Sequence, residues 1–273
     1  MALKPPDTRP PAEIEVFGLS QLAPLGAWQM SLAHPAEHHL LIWITRGQGK
    51  VLIDGGQAGF GPHNALFLPA GSLFALDPGR QALGHVMAVQ SRSETVLPED
   101  PMHIRVLEVQ DQFTLTAIFE AMLREQHERR AYWQDAMRAQ VGLVDVWLCR
   151  QSETEEHPSA SRRLMRAYFD AIADPMAFGK TQSDHARHLG VTPTHLTRVC
   201  KLVTGRSAAQ LWSERLAHES ALRLSRTDHS AKHIAAQLGF ASASYFNRFV
   251  SKVLGKPPGA FRKTHAGRIR TPY

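Results

Sequence analysis

Two short segments near the C-terminus combine an apolar side with a row of hydrogen-bonding side chains. In residues 192–201, Leu196 and Val199 form the apolar side. The side chains opposite them are Thr194, His195, Thr197, Arg198 and Lys201. An arginine can donate two hydrogen bonds to the O6 and N7 atoms of a guanine, and a threonine can contact a thymine methyl group or form one hydrogen bond. This pattern favours the reading of base edges in a DNA groove.

The second segment, residues 243–252, has the same arrangement. Tyr245, Phe246 and Phe249 form its apolar stripe, and Asn247 and Arg248 stand beside them. An asparagine that points into the groove can form two hydrogen bonds with an adenine. Other basic side chains nearby are expected to contact phosphates, which adds affinity and salt dependence without sequence choice. These are Lys201, Lys252, Lys256, Arg262 and Lys263.

The charge of the chain is distributed very unevenly. The net charge of the 273 residues is +6, yet 19 of the 31 Lys and Arg residues and only 6 of the 25 Asp and Glu residues lie from residue 160 onward. A basic C-terminal part behind an acidic N-terminal part is typical of a nucleic-acid-binding domain joined to a domain of another kind. A merely solvated basic surface is the alternative reading of the charge alone.

Each polar segment is expected to be the second helix of a helix-turn-helix, and the pattern occurs twice. The first copy spans about residues 183–205 and the second about 231–254. The offset between them is 49 residues up to the turn glycines and 50 residues beyond, because the second turn has one extra residue. Such coincidence indicates an internal repeat. The matched pairs are Ala186 and Ala235, Leu189 and Leu238, Gly190 and Gly239, Leu196 and Phe246, Arg198 and Arg248, and Gly205 and Gly255.

Capping residues and a connector helix support this organisation. Thr192 and Pro193 suit the N-cap and first position of a helix, and Ser183 and Ser230 are expected to cap the two preceding helices. Residues 208–226 read as one connector helix, roughly 28 Å long at about 1.5 Å per residue. A rigid connector of that length can hold two recognition helices about one DNA turn, ~34 Å, apart on one face of the duplex.

The N-terminal half has a different periodicity. Short apolar runs separated by Gly, Pro and Asp, from residue 39 to residue 89, predict a small β-barrel or jelly roll. Helices are predicted at about residues 113–130 and 132–150, and the apolar stripe of the second could pack within the subunit or form a dimer seam. Residues 1–14 are predicted to be a flexible lead-in, residues 15–150 the first domain, 151–161 a linker and 162–270 the second domain.

Composition excludes several classes of protein. No run approaches the ~18 apolar residues of a membrane span, and residues 1–11 do not resemble a signal peptide, so we expect a cytoplasmic protein without a membrane partner. The two cysteines, Cys149 and Cys200, are far apart and make a disulfide framework or a cysteine metal site improbable.

Residues 160–270 resemble the DNA-binding domain of the AraC/XylS family of bacterial transcription regulators. The resemblance rests on Gly190-Val191 with Leu196 and Arg198, on Arg215 in the connector, and on residues 239–249 and 255–262. Departures are Cys200 and Val250 where the family commonly has Phe, and Ser251 where it often has Lys. The resemblance implies double-stranded DNA as partner and leaves RNA polymerase and a second copy of the chain open as further ones. The side chains it places at bases are Thr194, His195, Thr197, Arg198, Ala243, Ser244, Asn247 and Arg248.

A cupin-type barrel that senses a small molecule often precedes this domain in the family. Catalytic cupins hold a metal with clustered His, a Glu and a further His after a Pro-x-Gly corner, but Leu40 and Leu41 stand where the Glu is expected and Phe74 where the His is expected. We therefore expect no cofactor and no catalytic residue, and a ligand pocket in the barrel mouth. The candidate lining residues are His38, Trp43, Phe67, Phe74, His85 and Met87.

The sequence leaves three hypotheses of different classes. The first is a sequence-specific DNA-binding regulator controlled by a small molecule. The second is a metal-dependent cupin enzyme tethered to DNA, against which the missing Glu and His count. The third is an architectural DNA binder, against which the dissimilarity of the two recognition segments counts.

Overall fold

The computed structural model describes residues 13–93, 96–152 and 159–265. The short apolar runs of the N-terminal half form antiparallel strands, and a 3-10 turn at Leu19–Leu22 and the short helix α1, Trp28–Ser31, lie between the first two. The strands of the described chain are β1 Ile14–Gly18, β2 His34–Pro35, β3 His39–Arg46, β4 Gly49–Ile53, β5 Gly56–Phe60, β6 Asn64–Leu68, β7 Leu73–Pro78, β8 Leu83–Val89 and β9 Met102–Arg105.

These strands form two sheets, and we call the unit they build the barrel. The first sheet has the order β1-β8-β3-β6-β9 and the second the order β2-β7-β4-β5. Every strand pairing is antiparallel, for example Leu40 with Leu68 and Val51 with Leu76. Aliphatic residues from both sheets, such as Ile42, Ile53 and Leu76, fill the space between them. The predicted N-terminal β-domain is confirmed, and the structure shows that its sheets are antiparallel.

A helical hairpin covers the outer face of the first sheet. Helix α2, Val109–Glu128, begins four residues earlier than predicted, and helix α3 spans Trp133–Ser152. Strand residues alternate between the two faces of the sheet, so Leu41 and Trp43 point towards these helices while Ile42 points into the barrel. The predicted stripe of α3, which includes Met137 and Val144, is buried against this sheet within the same chain.

The remaining described residues form helices in the predicted order. Asp174 ends the first of them and caps the 3-10 turn Pro175–Ala177. No helix in the described ranges has the length and apolar content needed to cross a membrane. The helices are α4 Ala160–Ala173, α5 Gln182–His188, α6 Pro193–Thr204, α7 Ala208–Arg226, α8 Ala231–Gln237, α9 Ala243–Leu254 and α10 Pro258–His265.

The barrel and the first helix-turn-helix unit share one hydrophobic core. Leu52 and Leu73 on the outer face of the second sheet belong to the same buried cluster as Met165 in α4 and Leu196 in α6. The second unit has its own buried cluster around Ile234, Phe246 and Phe261. Trp28, the first residue of α1, packs against this cluster. The position of the first unit is therefore fixed by apolar packing on the barrel.

The β4–β5 turn fixes α4 against the barrel. Asp54 and Gly55 both adopt positive φ angles, 51° and 68°, as a tight two-residue hairpin requires. The buried Asp54 carboxylate accepts hydrogen bonds from Arg162 at 2.8–2.9 Å and pairs with Arg166 as well. A Cβ atom at Gly55 would lie 2.9 Å from the backbone nitrogen of Arg166, so only glycine permits this approach.

The ends of the predicted linker and lead-in need adjustment. Residues 151–152 belong to α3 and residues 160–161 to α4, because both helices extend further than the polar composition indicated. Residues 153–158 of the linker and residues 1–12 of the lead-in lie outside the described residues. Strand β1 begins at Ile14, where Ile14 and Val16 enter the core.

Candidate DNA-binding surface and adjoining cleft

Helices α5 and α6 present the first recognition segment on a rigid support. The Thr192 hydroxyl accepts a hydrogen bond from the backbone nitrogen of His195 at 3.1 Å, and Pro193 occupies the first helical position, as predicted. Gly190 turns the chain with φ 66° and Gly205 ends α6 with φ 70°. The buried side of α6 is Leu196, Val199 and Cys200, so the small Cys200 occupies a core position.

Helices α8 and α9 repeat this construction. Ser242 caps α9 by accepting from the backbone nitrogen of Tyr245 at 3.1 Å, and Gly255 ends it with φ 72°. Phe246 and Val250 are its fully buried residues. The predicted stripe is corrected at Tyr245, whose side chain is 52% exposed. Val250 takes the buried position because it lies one turn after Phe246 on the same side of the helix.

The caps of the two supporting helices were predicted with mixed success. Ser230 caps α8 by accepting from the backbone nitrogen of His233 at 3.2 Å, as expected. For α5 the predicted cap, Ser183, is wrong. Thr181 caps the helix instead, because its hydroxyl and the Asp184 carboxylate satisfy each other's backbone amides in a capping box.

A buried cluster of two arginines and one glutamate anchors the connector α7. Arg215 is 3% exposed and donates to Glu219 at 3.0 Å, and Glu219 accepts from Arg223 at 2.7 Å. Both guanidinium groups lie over the Phe178 ring, at 4.9 and 5.6 Å from its centroid. Phe178 precedes the first unit, so this cluster ties α7 to the segment that leads into α5.

Most predicted base contacts are accessible to solvent. Thr194, His195 and Arg198 are exposed on α6, and the Arg198 guanidinium lies 3.3 Å from Nδ1 of His195. Thr197 is half-buried, and its hydroxyl accepts from Nε2 of Gln182 at 3.3 Å. On α9 the exposed candidates are Ser244, Asn247 and Arg248, with Ala243 half-buried at the start of the helix.

The predicted phosphate contacts fall into two groups. Lys201, Lys252 and Lys263 are exposed, as is Lys256, whose Nζ donates to Thr264 at 3.4 Å. Arg262 is half-buried, and its guanidinium donates to the carbonyl oxygens of Leu224 and His229. The structure therefore places Arg262 at the end of α7, where it binds one carbonyl oxygen of the last turn and one of the segment that follows the helix.

Comparison with known proteins agrees with this arrangement. A family model described as a helix-turn-helix domain matches residues 185–264. The HTH-type transcriptional regulator YfiF of Bacillus subtilis is 32% identical to this chain over 104 residues, which cover 38% of this chain and 32% of that protein. The C-terminal domain is an AraC-type helix-turn-helix domain. The aligned region spans about a third of the length of YfiF.

Two solved structures are similar to this chain at low sequence identity. ToxT from Vibrio cholerae O395 is 13% identical and aligns over 94% of this chain and 99% of its own, with a TM-score of 0.43. The C-terminal domain of the response regulator AraT from Geobacillus stearothermophilus is 25% identical over 41% of this chain and 90% of its own, with a TM-score of 0.36.

A cleft separates the mouth of the barrel from the connector of the AraC-type domain. We call it the connector cleft. Its enclosed part has a volume of about 50 Å³. Its barrel side includes Leu40 and Phe74, and its other side is formed by His218, Leu222 and Arg226 of α7. At its edge, Arg226 and Glu37 form a bidentate ion pair with distances of 2.6 and 3.1 Å.

Two histidines meet in this cleft. The rings of His34, from the barrel, and His218, from α7, are stacked with centroids 3.8 Å apart and an interplanar angle of 9°. Burial, together with the nearby Arg215, lowers the pKa of His34 to about 4 even though its Nδ1 bonds the carbonyl oxygen of Leu32 at 2.7 Å. Burial also places the pKa of His218 well below its usual range. Both imidazoles are therefore neutral near pH 7.

The six residues predicted to line one barrel-mouth pocket lie in different places. His38 and Phe74 line the connector cleft. Trp43, Phe67 and Met87 are buried under the helical hairpin, because their strand positions face the outer side of the first sheet. His85 is half-buried beside Phe119 of α2. Two of the six residues therefore line the same cleft. The other four lie outside it, because alternate residues of a strand point to opposite faces of the sheet.

The clustered histidines of the barrel have separate roles. His34 is stacked on His218, whereas Nδ1 of His39 accepts from the backbone nitrogen of Ala70 at 3.3 Å and supports the Pro69–Gly71 corner. Within the described ranges, no group of three or more His, Cys, Asp or Glu side chains is arranged to hold a metal ion. Sequence reasoning missed Glu37, His218 and Arg226 as cleft residues because they come together only through the packing of two distant segments.

Proposed function

We propose that the chain is a sequence-specific DNA-binding transcription regulator that reads two adjacent major-groove segments of one site. The observation that carries the proposal is that the AraC-type domain has two helix-turn-helix units with equivalent exposed arginines, Arg198 on α6 and Arg248 on α9. A helix of this kind reads base edges from the major groove, and arginine is the side chain best suited to guanine. The lysines around both helices add contacts to the phosphate backbone.

The two units act together because their spacing is fixed. The first is attached to the barrel by a shared core, and the second is attached to the first through α7. The 19 residues of α7 give a length of roughly 28 Å, which suits two recognition helices about one turn of DNA apart. A small molecule bound by the N-terminal half would control this geometry, since the barrel contacts α7 directly.

Selection of bound sites from a pool of random duplex DNA tests the proposal. We expect two conserved boxes, separated by about one helical turn, with each box lost selectively when its own recognition helix is altered. A pool that contains no enriched motif would support the architectural DNA binder and defeat the regulator. A single enriched box would show that only one unit reads sequence.

A further inference from the structure

The two recognition helices differ in how their exposed arginines are held. On α6, Nη2 of Arg198 lies 3.3 Å from Nδ1 of His195, which is three residues earlier on the same side of the helix. A guanidinium can only donate, so Nδ1 is the acceptor and the proton of the neutral ring is on Nε2. The contact uses one N–H group of Arg198, and the remaining N–H groups can still bind a base edge.

The neighbouring position on α6 is held as well. Gln182, the first residue of α5, donates from Nε2 to the hydroxyl oxygen of Thr197 at 3.3 Å. Thr197 is half-buried, and its β-branched side chain has few rotamers even without this contact. Two adjacent side chains of the first recognition helix are therefore restricted in the absence of DNA.

The two supporting positions are occupied differently in the second unit. The repeat aligns His195 with Tyr245, and it aligns Gln182 with Ala231, the first residue of α8. The ring of Tyr245 lies beside that of Phe240, with centroids 5.9 Å apart. The methyl group of Ala231 can neither donate nor accept a hydrogen bond. The second unit therefore lacks both the imidazole acceptor and the amide donor of the first.

The equivalent side chains of α9 are consequently not restricted. Within the described ranges, the side chains of Asn247 and Arg248 form no hydrogen bond or ion pair. An arginine without a partner keeps its rotamer freedom, so it can turn to a phosphate or to another base when its preferred guanine is replaced. An arginine that is held in place cannot pair again so readily, and the replacement costs it more affinity.

We propose that His195 and Gln182 are positioning residues, which act through Arg198 and Thr197 and make α6 the more stringent reader of the two recognition helices. This role rests on the proposed function, because it assigns the stringency to one box of a two-box site. In the parent chain, replacement of the guanine read by Arg198 is expected to cost about threefold more affinity, or a larger factor, than replacement of the guanine read by Arg248. A factor of this size corresponds to one hydrogen bond.

Arginine side-chain dynamics in the full chain without DNA test the role of His195 directly. Relaxation of the Nε–H groups, measured by 15N NMR, is expected to show that Arg198 is more restricted than Arg248. The variant His195→Leu removes the acceptor and should raise the mobility of Arg198 to that of Arg248. Equal mobility of the two arginines in the parent chain would overturn the proposal.

Binding to the selected site and to its single-base variants, measured by fluorescence anisotropy, tests the consequence for DNA reading. We expect His195→Leu to reduce discrimination at the base pair read by Arg198 by about threefold or more and to leave the second box unchanged. His195→Asn should restore discrimination, because its Oδ1 atom is as many bonds from the backbone as Nδ1 of histidine and also accepts.

A double-mutant cycle separates positioning from direct contact with DNA. If His195 acts through Arg198, His195→Leu should have no further effect on base preference in the Arg198→Ala background. A further loss in that background, or a loss at a different base pair, would show that His195 itself contacts DNA and would overturn its positioning role.

Gln182→Ala gives the first unit the residue that the second unit has. We expect discrimination at the base pair read by Thr197 to fall by about threefold or more, and no further change in the Thr197→Val background, which lacks the hydroxyl. Gln134→Ala is the matched control, because Gln134 is an exposed residue at the start of α3. Unchanged discrimination in folded Gln182→Ala would remove Gln182 from the proposal.

The outcomes distinguish this inference from the proposed function. If no two-box motif can be selected from random DNA, the proposed function fails and the assigned stringency fails with it. If two boxes are found but are read with equal discrimination, the proposed function stands and only the positioning role fails.

Discussion

Individual side chains on the recognition helices are positioned before any DNA is present. Arg198 lies against His195, and Thr197 is held by Gln182 from the preceding helix. These contacts restrict rotamers that would otherwise have to be fixed on binding, which reduces the entropic cost of reading a base. The side chains that we propose to read bases could be predicted from the sequence because a repeated polar position is visible in the residues alone. No local pattern pointed to Gln182.

Replacement of either exposed arginine with alanine is expected to affect one box of the DNA site. Arg198→Ala should weaken binding of the selected site by about 1–3 kcal/mol and relax the preference at one base pair of the first box. Arg248→Ala should do the same in the second box. Fluorescence anisotropy on the selected site and on single-base variants measures both effects.

The control for these variants is Arg130→Ala, which removes an arginine of 72% side-chain exposure near the helical hairpin. It changes net charge by the same amount at a distance from α6 and α9. Equal losses on the selected site and on random DNA would show that Arg198 contacts only the backbone.

The exposed lysines are expected to act without sequence preference. Lys201→Ala or Lys252→Ala should weaken binding to selected and random DNA by similar factors. Each should also reduce the slope of log affinity against log salt concentration by about 1, since one phosphate contact is lost. Anisotropy titrations between low and moderate salt measure the slope, and a loss confined to one base pair would instead indicate base reading.

At the scale of elements, the second helix-turn-helix unit is locked to the first through two glycines. Gly239 turns between α8 and α9 with φ 75°, and a Cβ atom there would lie 2.4 Å from Cα of Gly179, in the loop before α5. A Cβ atom at the equivalent Gly190, whose φ is 66°, would meet no other described atom within 4 Å beyond its chain neighbours. The repeat is thus symmetric in its backbone conformation and asymmetric in its packing.

This asymmetry predicts different costs for the same substitution. Gly190→Ala should destabilise the fold by about 1 kcal/mol, the cost of a left-handed conformation. Gly239→Ala should cost more, about 2–4 kcal/mol, because two backbone segments must also separate. Thermal unfolding of the two variants side by side measures the difference. Equal stabilities would mean that the contact with Gly179 contributes nothing.

The Asp54-Gly55 turn is the polar element that joins the barrel to α4. Asp54→Asn is expected to destabilise the fold by roughly 2–4 kcal/mol, since two arginines lose a buried carboxylate partner. Chemical denaturation measures this loss. Asp77→Asn is the matched control, because Asp77 is an exposed residue of the neighbouring strand β7. A similar effect of both substitutions would argue against a specific role of the turn.

At the scale of the whole molecule, two of the contacts between the barrel and the AraC-type domain differ in kind. A shared apolar core fixes the first unit, whereas the histidine stack and the Glu37–Arg226 pair hold the connector. The first contact is extensive and dry, and the second is polar and borders an open cleft. Polar contacts around a cleft are the ones that a ligand or a change in pH can alter at low cost.

Acid is expected to weaken the histidine stack. The pKa of His34 is about 4 in the folded chain, below the ordinary value near 6.5, so the unfolded chain binds more protons between these values. The free energy of unfolding therefore falls as pH is lowered from about 6.5 towards 4, by ~2 kcal/mol between pH 7 and pH 5 for this residue. The charged groups that face the pair are Arg215, Arg226 and Glu37.

Denaturant unfolding at pH 7 and pH 5 measures this effect. The variant His34→Phe, which keeps an aromatic ring in the stack but cannot be protonated, should lose less stability on acidification than the parent chain. Buried histidines that do not contact His34 contribute equally to both proteins, so the comparison reports on the stacked pair of His34 and His218. The same loss in both proteins would show that the stack does not govern the acid response.

The sequence by itself determined the elements that depend on local patterns. The helix-turn-helix repeat, the bounds of α7, the caps Thr192 and Ser230 and the β-rich N-terminal half follow from periodicity, turn residues and charge. Each of these is set by residues within about one or two turns of each other, so they can be read without the fold. The exposed arginines were found for the same reason.

Only the tertiary structure decided what lies between the two halves. Trp43, Phe67 and Met87 face the helical hairpin, whereas His38 and Phe74 line the cleft, and the sequence does not show which face of a strand the helices cover. The capping box at the start of α5 uses Thr181 and not Ser183. The pairing of His34 with His218 joins residues that are 184 positions apart, and no local pattern encodes it. The connector cleft exists because the barrel mouth and α7 meet in space, which is a consequence of packing alone.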